Sequence, residues 1–306
     1  MRAVVYPEYS SDFRTLEVRD VPTPKVPPAS VLVDVKAAGV NPVDWKVMTG
    51  KLDPLYDAIF PVIPGWDVAG VVVAVGLDTP EFAPGDEVLG YGRKDVLHGG
   101  SFAQQMTIPV GSVARKPASL SWEQAAGLPL AGGTALRTLD ALQVGDGDTV
   151  LIHAASGGVG GFAVQIARAR GARVIGTASE RNHDVVRALG GEPVAYGAGL
   201  VERVRQLAPD GVDAVADFAG GQLEATLAVL TPGGRHASVA DHSVVEHGGR
   251  HIWVRPDGAQ TARLAALAEE GKLTVEIAGT YPLDGVADAF EQSRTGHTHG
   301  KLIIVP

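Results

Sequence analysis

The sequence predicts an α/β protein in which a doubly wound parallel sheet is joined to a partly open β-barrel. From residue 148 to residue 240, short apolar strand segments alternate with segments of helical periodicity. Such alternation is typical of βαβ units and of a parallel sheet covered by helices on both faces. Before residue 120, short β-branched strands follow one another between Gly- and Pro-rich turns, without a long helical segment. This second pattern indicates a small barrel.

The change of pattern near residue 120 predicts where one domain ends and the next begins. A length of 306 residues is compatible with two domains. At Ser121 the letters S-W-E-Q match a helix capping box, which marks the start of a helical stretch. We therefore predict a barrel domain made of residues 1–119 and 257–306, and a parallel-sheet domain made of residues 120–256.

The predicted elements of the barrel domain are short. A Pro-rich connection at 22–28 cannot be a central strand, because proline has no amide hydrogen to donate. Pro42 fits the first turn of a short helix with Asn41 as its cap. The predicted strands cover 3–6, 31–35, 71–75, the part of 84–92 that follows a turn, 98–109 and 302–305.

The predicted elements of the parallel-sheet domain alternate regularly. A mostly helical stretch over 125–142 comes first, with a break expected at Pro129 and at Gly132–Gly133. Strands are predicted at 148–153, 173–178, 193–196, 212–217 and 235–240. Helices are predicted between them at 160–170, 183–189, 200–207 and 222–230, and an amphipathic helix follows at 258–271.

Composition limits the classes of partner. The net charge is −9 and no block of Lys or Arg occurs, which argues against nucleic acid as a partner. Cysteine is absent, so disulfides, thiol catalysis and thiolate metal sites are excluded. No apolar stretch of 18 residues and no signal segment occur, so we expect a soluble, cytoplasmic protein without a membrane partner.

The stretch DTVLIHAASGGVGG at 148–161 carries the main functional signal. An apolar strand stops at small residues, and a helix pattern follows, as in the dinucleotide-binding fingerprint G-x-G-x-x-G. Ala155 takes the first glycine position, Gly157 lets the backbone approach a pyrophosphate, and Gly160 lets helix and strand pack closely. We expect the phosphates to bind at the helix start, on Ser156, Gly157, Gly158 and Val159. The alternative is a Gly-rich turn in an α/β domain without a nucleotide.

The end of the second strand of this unit indicates which cofactor binds. NAD-binding proteins usually place Asp or Glu there for the ribose 2′-OH, about 20 residues beyond the glycines. That window contains Ser179 and is followed by Arg181 and His183, which offer donors and positive charge to a 2′-phosphate. Glu180 is the one acidic candidate, and we expect it to face solvent. The sequence therefore predicts NADPH rather than NADH.

The order of motifs resembles the medium-chain dehydrogenase/reductase superfamily and, within it, the zinc-free quinone oxidoreductases of the ζ-crystallin-like branch. The motifs that carry the resemblance span the whole chain: AAGVNPVDWKVMTG at 37–50, P-G-W-D-x-x-G-x-V-x-x-V-G at 64–76, PGDEVLG at 84–90, LPLAGGTAL at 128–136, AASGGVG at 154–160 and GKLIIVP at 300–306. The resemblance implies a GroES-like barrel domain, a Rossmann-type sheet domain and a homodimer.

The resemblance also implies that no metal is bound. Zinc-dependent relatives have Cys where this chain has Asn41, and Gly-His-Glu where it has Gly65, Trp66 and Asp67. With Asn and Trp in place of two ligands and no thiolate in the chain, the usual tetrahedral zinc site cannot form. His297 and His299 are closely spaced but lack further ligands at a usual interval, so we interpret them as solvated or phosphate-facing.

The resemblance implies direct hydride transfer from NADPH to a quinone or an α,β-unsaturated carbonyl compound. Asn41 matches the family position beside the nicotinamide, and Lys46 lies where relatives often have a tyrosine, which makes it a candidate proton donor or a surface lysine. Further cofactor contacts are implied at Thr134, Tyr196, Phe218 and Ala219. Two alternatives stay open: an NADPH-binding protein with a structural or regulatory role, and a zinc alcohol dehydrogenase with unusual ligands.

Overall fold

The computed structural model describes residues 1–296 and 298–306, which fold into two compact units. Unit 1 contains Met1–Leu130, Arg255–Gly271 and Val275–Pro306. Unit 2 contains Ala131–Val254 and Lys272–Thr274.

Unit 1 begins with short strands and two helices. Strand β3 is its longest strand and pairs with β5 and β8, both antiparallel. Helix α2 begins at the predicted capping box, where the Ser121 amide donates to Gln124 Oε1 and the Gln124 amide donates to Ser121 Oγ. In chain order, the elements are β1 Arg2–Val5, β2 Glu17–Asp20, β3 Ser30–Val40, α1 Pro42–Met48, β4 Asp57–Ala58, β5 Asp67–Val75, β6 Glu87–Tyr91, β7 Val96–Leu97, β8 Gln105–Pro109, β9 Val113–Arg115 and α2 Trp122–Gly127.

Unit 2 is a six-stranded parallel sheet in the order β12-β11-β10-β13-β14-β15. Its core contains Leu151, Ile175, Val204, Val215 and Val229, all fully buried. The elements from the boundary onward are α3 Pro129–Ala141, β10 Thr149–His153, α4 Gly158–Ala169, β11 Arg173–Ala178, α5 His183–Ala188, β12 Glu192–Ala195, α6 Leu200–Leu207, β13 Val212–Asp217, α7 Leu223–Val229, β14 Leu230–Ser238 and β15 Arg250–His251.

The chain then returns to unit 1 with α8 Gly258–Glu269, β16 Ile277–Pro282, α9 Val286–Arg294 and β17 Lys301–Val305. Strand β17 lies between β16, to which it is parallel, and β3, to which it is antiparallel. Its insertion completes a sheet in the order β16-β17-β3-β5-β6-β9. The sequence predicted β17, but neither β16 nor α9.

Two predictions differ from this architecture. The units do not divide at 119/120, because α2 packs on β3 and β5 and keeps the chain up to Leu130 in unit 1. At the other boundary, Lys272–Thr274 belongs to unit 2, where the Thr274 amide donates to Gln165 Oε1. The predicted break at Gly132–Gly133 is also wrong: α3 runs unbroken from Pro129 to Ala141, and the interruption lies before Pro129.

In the part of the chain that is described, no helix combines the length and the apolar character needed to cross a bilayer.

Candidate functional site

The turn after β10 has the close packing that the glycine fingerprint predicts. A Cβ atom at Gly160 would lie 2.1 Å from the carbonyl oxygen of Ala154, so no side chain fits there. Ala154 adopts a left-handed conformation with φ of 55°, and its amide donates to Thr177 Oγ1 at 3.1 Å. Helix α4 begins directly afterwards, so its free amides open onto this turn.

A buried row of polar side chains supports the edge of the sheet where this turn lies. The strand register aligns Thr177 on β11, His153 on β10, Asp217 on β13 and Ser238 on β14. All four are at most 4% exposed. Because they end adjacent parallel strands, they lie under the loops that form the usual ligand-binding edge of such a sheet.

The row orders the loop that contains Phe218 and Ala219. Asp217 Oδ1 accepts hydrogen bonds from the amides of Ala219 and Gly220, both at 2.9 Å. Its Oδ2 accepts a hydrogen bond from the Ser238 hydroxyl at 2.8 Å. Two of the predicted cofactor contacts are therefore held at the sheet edge by a carboxylate that the sequence analysis did not single out.

His153 is neutral in this row. Burial lowers its pKa to about 4, although the nearby Asp217 opposes that shift. Its Nδ1 lies 3.4 Å from Thr177 Oγ1, and its Nε2 has no hydrogen-bond partner. The sequence contained a sign that His153 has a special position, because it is a polar residue at the end of a buried strand, where an apolar one is expected.

The segment after β11 has free polar groups, as a phosphate site requires. Ser179 Oγ and His183 Nε2 are buried and without a hydrogen-bond partner. Arg181 is exposed and makes no ion pair with any described residue, and Glu180 is exposed as predicted. Asn182 Nδ2 donates to Ser156 Oγ at 3.3 Å, which links this segment to the glycine turn. These residues fit the 2′-phosphate of NADPH better than a ribose hydroxyl.

The two remaining predicted contacts of unit 2 differ in their surroundings. Tyr196 follows β12 at the same edge of the sheet and is 62% exposed, so its ring is available to a ligand. Thr134 is buried on α3, where its carbonyl oxygen accepts a hydrogen bond from Thr138. Their contacts with a cofactor stay predictions.

Unit 1 contains a buried polar network centred on Asn41. Asn41 Nδ2 donates to Asp67 Oδ2 at 2.8 Å, and Lys301 Nζ donates to Asn41 Oδ1 at 2.5 Å. Asp67 Oδ1 also accepts a hydrogen bond from the amide of Leu130. The Asn41 backbone amide donates to Asp44 Oδ2 at 2.8 Å, which fixes the start of α1. The second hydrogen on the side-chain nitrogen of Asn41 makes only a long contact, in which Nδ2 lies 3.5 Å from the carbonyl oxygen of Gly39.

The charges of this network are strongly affected by burial. Desolvation raises the pKa of Asp44 to about 8 and that of Asp67 to about 6, with the ammonium of Lys301 opposing both shifts. Burial likewise lowers the pKa of Lys301. No role was predicted for Asp44, Asp67 or Lys301 in this network, although a lysine that opens an otherwise apolar terminal strand was a visible signal.

Lys46 lies apart from this network. It is exposed on α1, with Nζ 5.6 Å from the centre of the Trp45 ring. Desolvation first, and then the charge of Lys51, lower its pKa. The lowered pKa makes its ammonium a stronger acid than that of an ordinary surface lysine, and its role as a donor stays a prediction.

Within residues 1–296 and 298–306, no three His, Asp or Glu side chains converge closely enough to hold a metal ion. Positions 41 and 66 hold Asn and Trp, whose side chains do not suit zinc. Of the closely spaced pair His297 and His299, His297 lies outside the described residues.

Two known families match separate parts of the chain. The family described as "Alcohol dehydrogenase GroES-like domain" matches residues 27–118. The family described as "Zinc-binding dehydrogenase" matches residues 189–304. The first match lies within unit 1, and the second covers the later strands of unit 2 and the return to unit 1.

Similar whole proteins agree with these matches. The NADPH-dependent alkenal/one oxidoreductase of Arabidopsis thaliana is 35% identical over all of this chain and 80% of its own length. The 2-methylene-furan-3-one reductase of Solanum lycopersicum is 34% identical over all of this chain and 79% of its own length. The solved quinone oxidoreductase of Coxiella burnetii superposes with a TM-score of 0.88 at 31% identity, over 100% of this chain and 99% of that one. This chain therefore belongs to the medium-chain dehydrogenase/reductase superfamily and, within it, to the ζ-crystallin-like quinone oxidoreductases.

Proposed function

We propose that this protein is an NADPH-dependent reductase that transfers a hydride to a quinone or to an α,β-unsaturated carbonyl compound. The observation that carries the proposal is the set of free polar groups at Ser179, Arg181 and His183, beside the glycine turn. The names of similar proteins, an NADPH-dependent alkenal/one oxidoreductase and a quinone oxidoreductase, support it.

Residues of unit 2 would hold the cofactor. The amides of Gly158 and Val159 at the start of α4 suit the pyrophosphate, with Ser156 and Gly157 in the turn before them. Ser179, Arg181 and His183 suit the 2′-phosphate. When bound, NADPH supplies the hydride. In the reduction of an enone, that hydride adds to the β-carbon, the electron pair of the double bond moves toward the carbonyl oxygen, and a proton completes the saturated product.

Residues of unit 1 would serve the substrate. Negative charge grows on the carbonyl oxygen as the hydride arrives, so a positioned donor lowers the barrier. The remaining Asn41 hydrogen and the Lys46 ammonium are the two groups assigned to this task. Lys301 and Asp67 are positioning residues in this proposal, because they hold the amide oxygen and nitrogen of Asn41 in a fixed orientation.

We also infer that the reaction proceeds without zinc. The sequence has no cysteine, and Asn41 and Trp66 occupy the positions of two expected ligands. The interior of unit 1 instead places a lysine ammonium against Asn41, so that site already contains a positive charge. Metal analysis of the purified protein is expected to find less than stoichiometric zinc, and full occupancy would contradict the inference.

The function is tested with NADPH and a panel of quinones and enones, following the loss of NADPH absorbance. We expect oxidation of NADPH with at least one member and slower oxidation of NADH. Saturable NADPH binding with no turnover on any member would instead favour the structural or regulatory alternative. Absence of NADPH binding would overturn both.

We further propose that the protein forms a homodimer through the β15 edge of the six-stranded sheet. Strand β15 is the last strand in the sheet order and pairs only with β14 among the described residues. An edge strand with free amides and carbonyls can pair across a two-fold axis. Light scattering of the purified protein is expected to give twice the chain mass of 31.7 kDa.

A further inference from the structure

A small cavity in unit 1 is lined by polar groups that the assignments above do not use. Residues of the segment 92–100 line it, together with Tyr6, Asp44 and Trp66. The cavity is partly open to solvent, and its free volume of about 20 Å³ suits one or two water molecules or the two oxygens of a carboxylate.

Two of the lining side chains have buried polar atoms without a hydrogen-bond partner. They are the Tyr6 hydroxyl and Asp44 Oδ1, and both residues are at most 2% exposed. Leaving such groups unpaired costs free energy, so a buried polar atom at a cavity usually has a water or a ligand as its partner.

The third polar group is the ammonium of Lys94. Its single described hydrogen bond is a long one, 3.4 Å to Thr107 Oγ1, and no charge of a described residue offsets its burial. Burial lowers its pKa, because no negative charge compensates for the loss of water. A half-buried ammonium of this kind is stabilised by an anion.

All three groups can donate a hydrogen bond. Asp44 Oδ2 accepts from the Asn41 amide, and burial raises the pKa of this carboxyl to about 8, so near neutral pH the proton resides on the free Oδ1. Burial also raises the pKa of Tyr6, which keeps its hydroxyl protonated. A cavity lined by an acid O–H, a phenol O–H and an ammonium favours a ligand that is purely an acceptor and negatively charged.

We propose that this cavity binds the carboxylate of the substrate, so that the preferred substrates are unsaturated carbonyl compounds bearing an acidic group. The inference rests on the proposed reductase function, from which it takes the reacting part of the molecule. Lys94, Tyr6 and Asp44 are specificity-determining residues in this assignment and take no part in hydride transfer.

The test compares 6-oxo-4-heptenoate with its methyl ester as substrates, since the two share an enone that is not conjugated to the carboxyl group and differ in charge. With wild-type protein, kcat/KM for the acid is expected to exceed that for the ester by about tenfold, the value of one charge-assisted hydrogen bond. Lys94→Met should abolish this preference by lowering kcat/KM for the acid. Tyr6→Phe should reduce it. Lys36→Met, which removes an exposed lysine already paired with Asp34, is the matched control and should preserve it.

A binding measurement without turnover separates this inference from the reductase proposal. By calorimetry without NADPH, the saturated acid 6-oxoheptanoate is expected to bind the wild-type protein and to bind Lys94→Met at least about tenfold more weakly. Equal rates for acid and ester, with no binding of the saturated acid, would overturn the carboxylate site and leave the reductase function intact. If neither compound is reduced while the saturated acid still binds, the result contradicts reduction of this class of substrate and leaves the carboxylate site intact.

Discussion

Lys301 Nζ donates a hydrogen bond to Asn41 Oδ1, which joins the last strand of the chain to a residue 260 positions earlier. The same ammonium donates to the carbonyl of Val40 at 3.0 Å. The bond fixes which way the Asn41 amide points, because its oxygen must face the cation and its nitrogen the Asp67 carboxylate. This orientation of the Asn41 side chain and the close packing of the glycine turn both have effects that can be measured.

Replacing Lys301 by Met should destabilise the protein by roughly 3–5 kcal/mol, because Asp67 would be left buried without its cation. The measurement is the free energy of unfolding from urea titration. Lys36→Met removes an exposed lysine that is paired with Asp34, and it should change stability by less than about 1 kcal/mol. If Lys301→Met lowers the free energy of unfolding no more than the control does, the buried Lys301 ammonium contributes little to stability beside Asp67.

Asp44 should make stability depend on pH. Its pKa is about 8 in the folded state against 3.8 for an ordinary carboxyl, so the folded state keeps a proton that the unfolded chain releases. The contribution is therefore fully present below the unfolded pKa and is lost as the pH rises to about 8. Asp67, raised to about 6, acts in the same direction over the acidic part of this range.

The test is Asp44→Asn, which keeps the shape of the protonated acid and removes its titration. The wild-type advantage over this variant, in free energy of unfolding, should fall steadily between about pH 4 and about pH 8 and then stay constant. A difference that does not change with pH would contradict the assignment of a neutral Asp44.

Gly160→Ala should disturb the glycine turn after β10, because the new Cβ would lie 2.1 Å from the Ala154 carbonyl oxygen. We expect about 1–3 kcal/mol lower stability from overpacking. Since the backbone at Ala154 and Ala155 must move, and these residues lead directly into the turn at Ser156 and Gly157, the Kd of NADPH should rise as well. Gly145→Ala is the control, because a Cβ at Gly145 meets nothing within 4 Å. Unchanged NADPH affinity in Gly160→Ala would place the pyrophosphate elsewhere.

Arg181→Ala should raise the Kd of NADPH by about tenfold or more, since a charge-assisted hydrogen bond to the 2′-phosphate would be lost. The Kd of NADH should not change. Arg187 is an exposed arginine on the next helix, already paired with Asp184, and Arg187→Ala should affect neither cofactor. Equal weakening of NADPH and NADH by Arg181→Ala would show that this side chain does not select the cofactor.

Lys46→Met should lower kcat by about 100-fold if Lys46 gives the proton to the product, which is the low end for general acid catalysis. The NADPH Kd should stay as it is. Lys51→Met is a close control, because Lys51 Nζ lies 5.8 Å from the same Trp45 ring. If both variants retain the wild-type kcat, the proton comes from another group or from solvent.

The sequence alone determined the strands, helices and turns whose signals are local. Strands β11 and β13 and helix α6 have the predicted bounds, and the capping box at Ser121 forms as predicted. The glycine turn was predictable for the same reason: its tight approach of Gly160 to Ala154 involves residues six apart. The residues at 179–183 also pointed to NADPH without any structure, and the absence of cysteine excluded a thiolate metal site.

Only the tertiary structure decided which distant polar residues share a site. Asn41, Asp67 and Lys301 come from three separate segments, and they meet because β17 pairs with β3 in one particular register. The row of Thr177, His153, Asp217 and Ser238 likewise depends on the pairing of four strands, and so does the unit boundary after Leu130. Local propensity cannot set such registers, since the free energy that fixes them comes from burial and pairing between segments far apart in the chain.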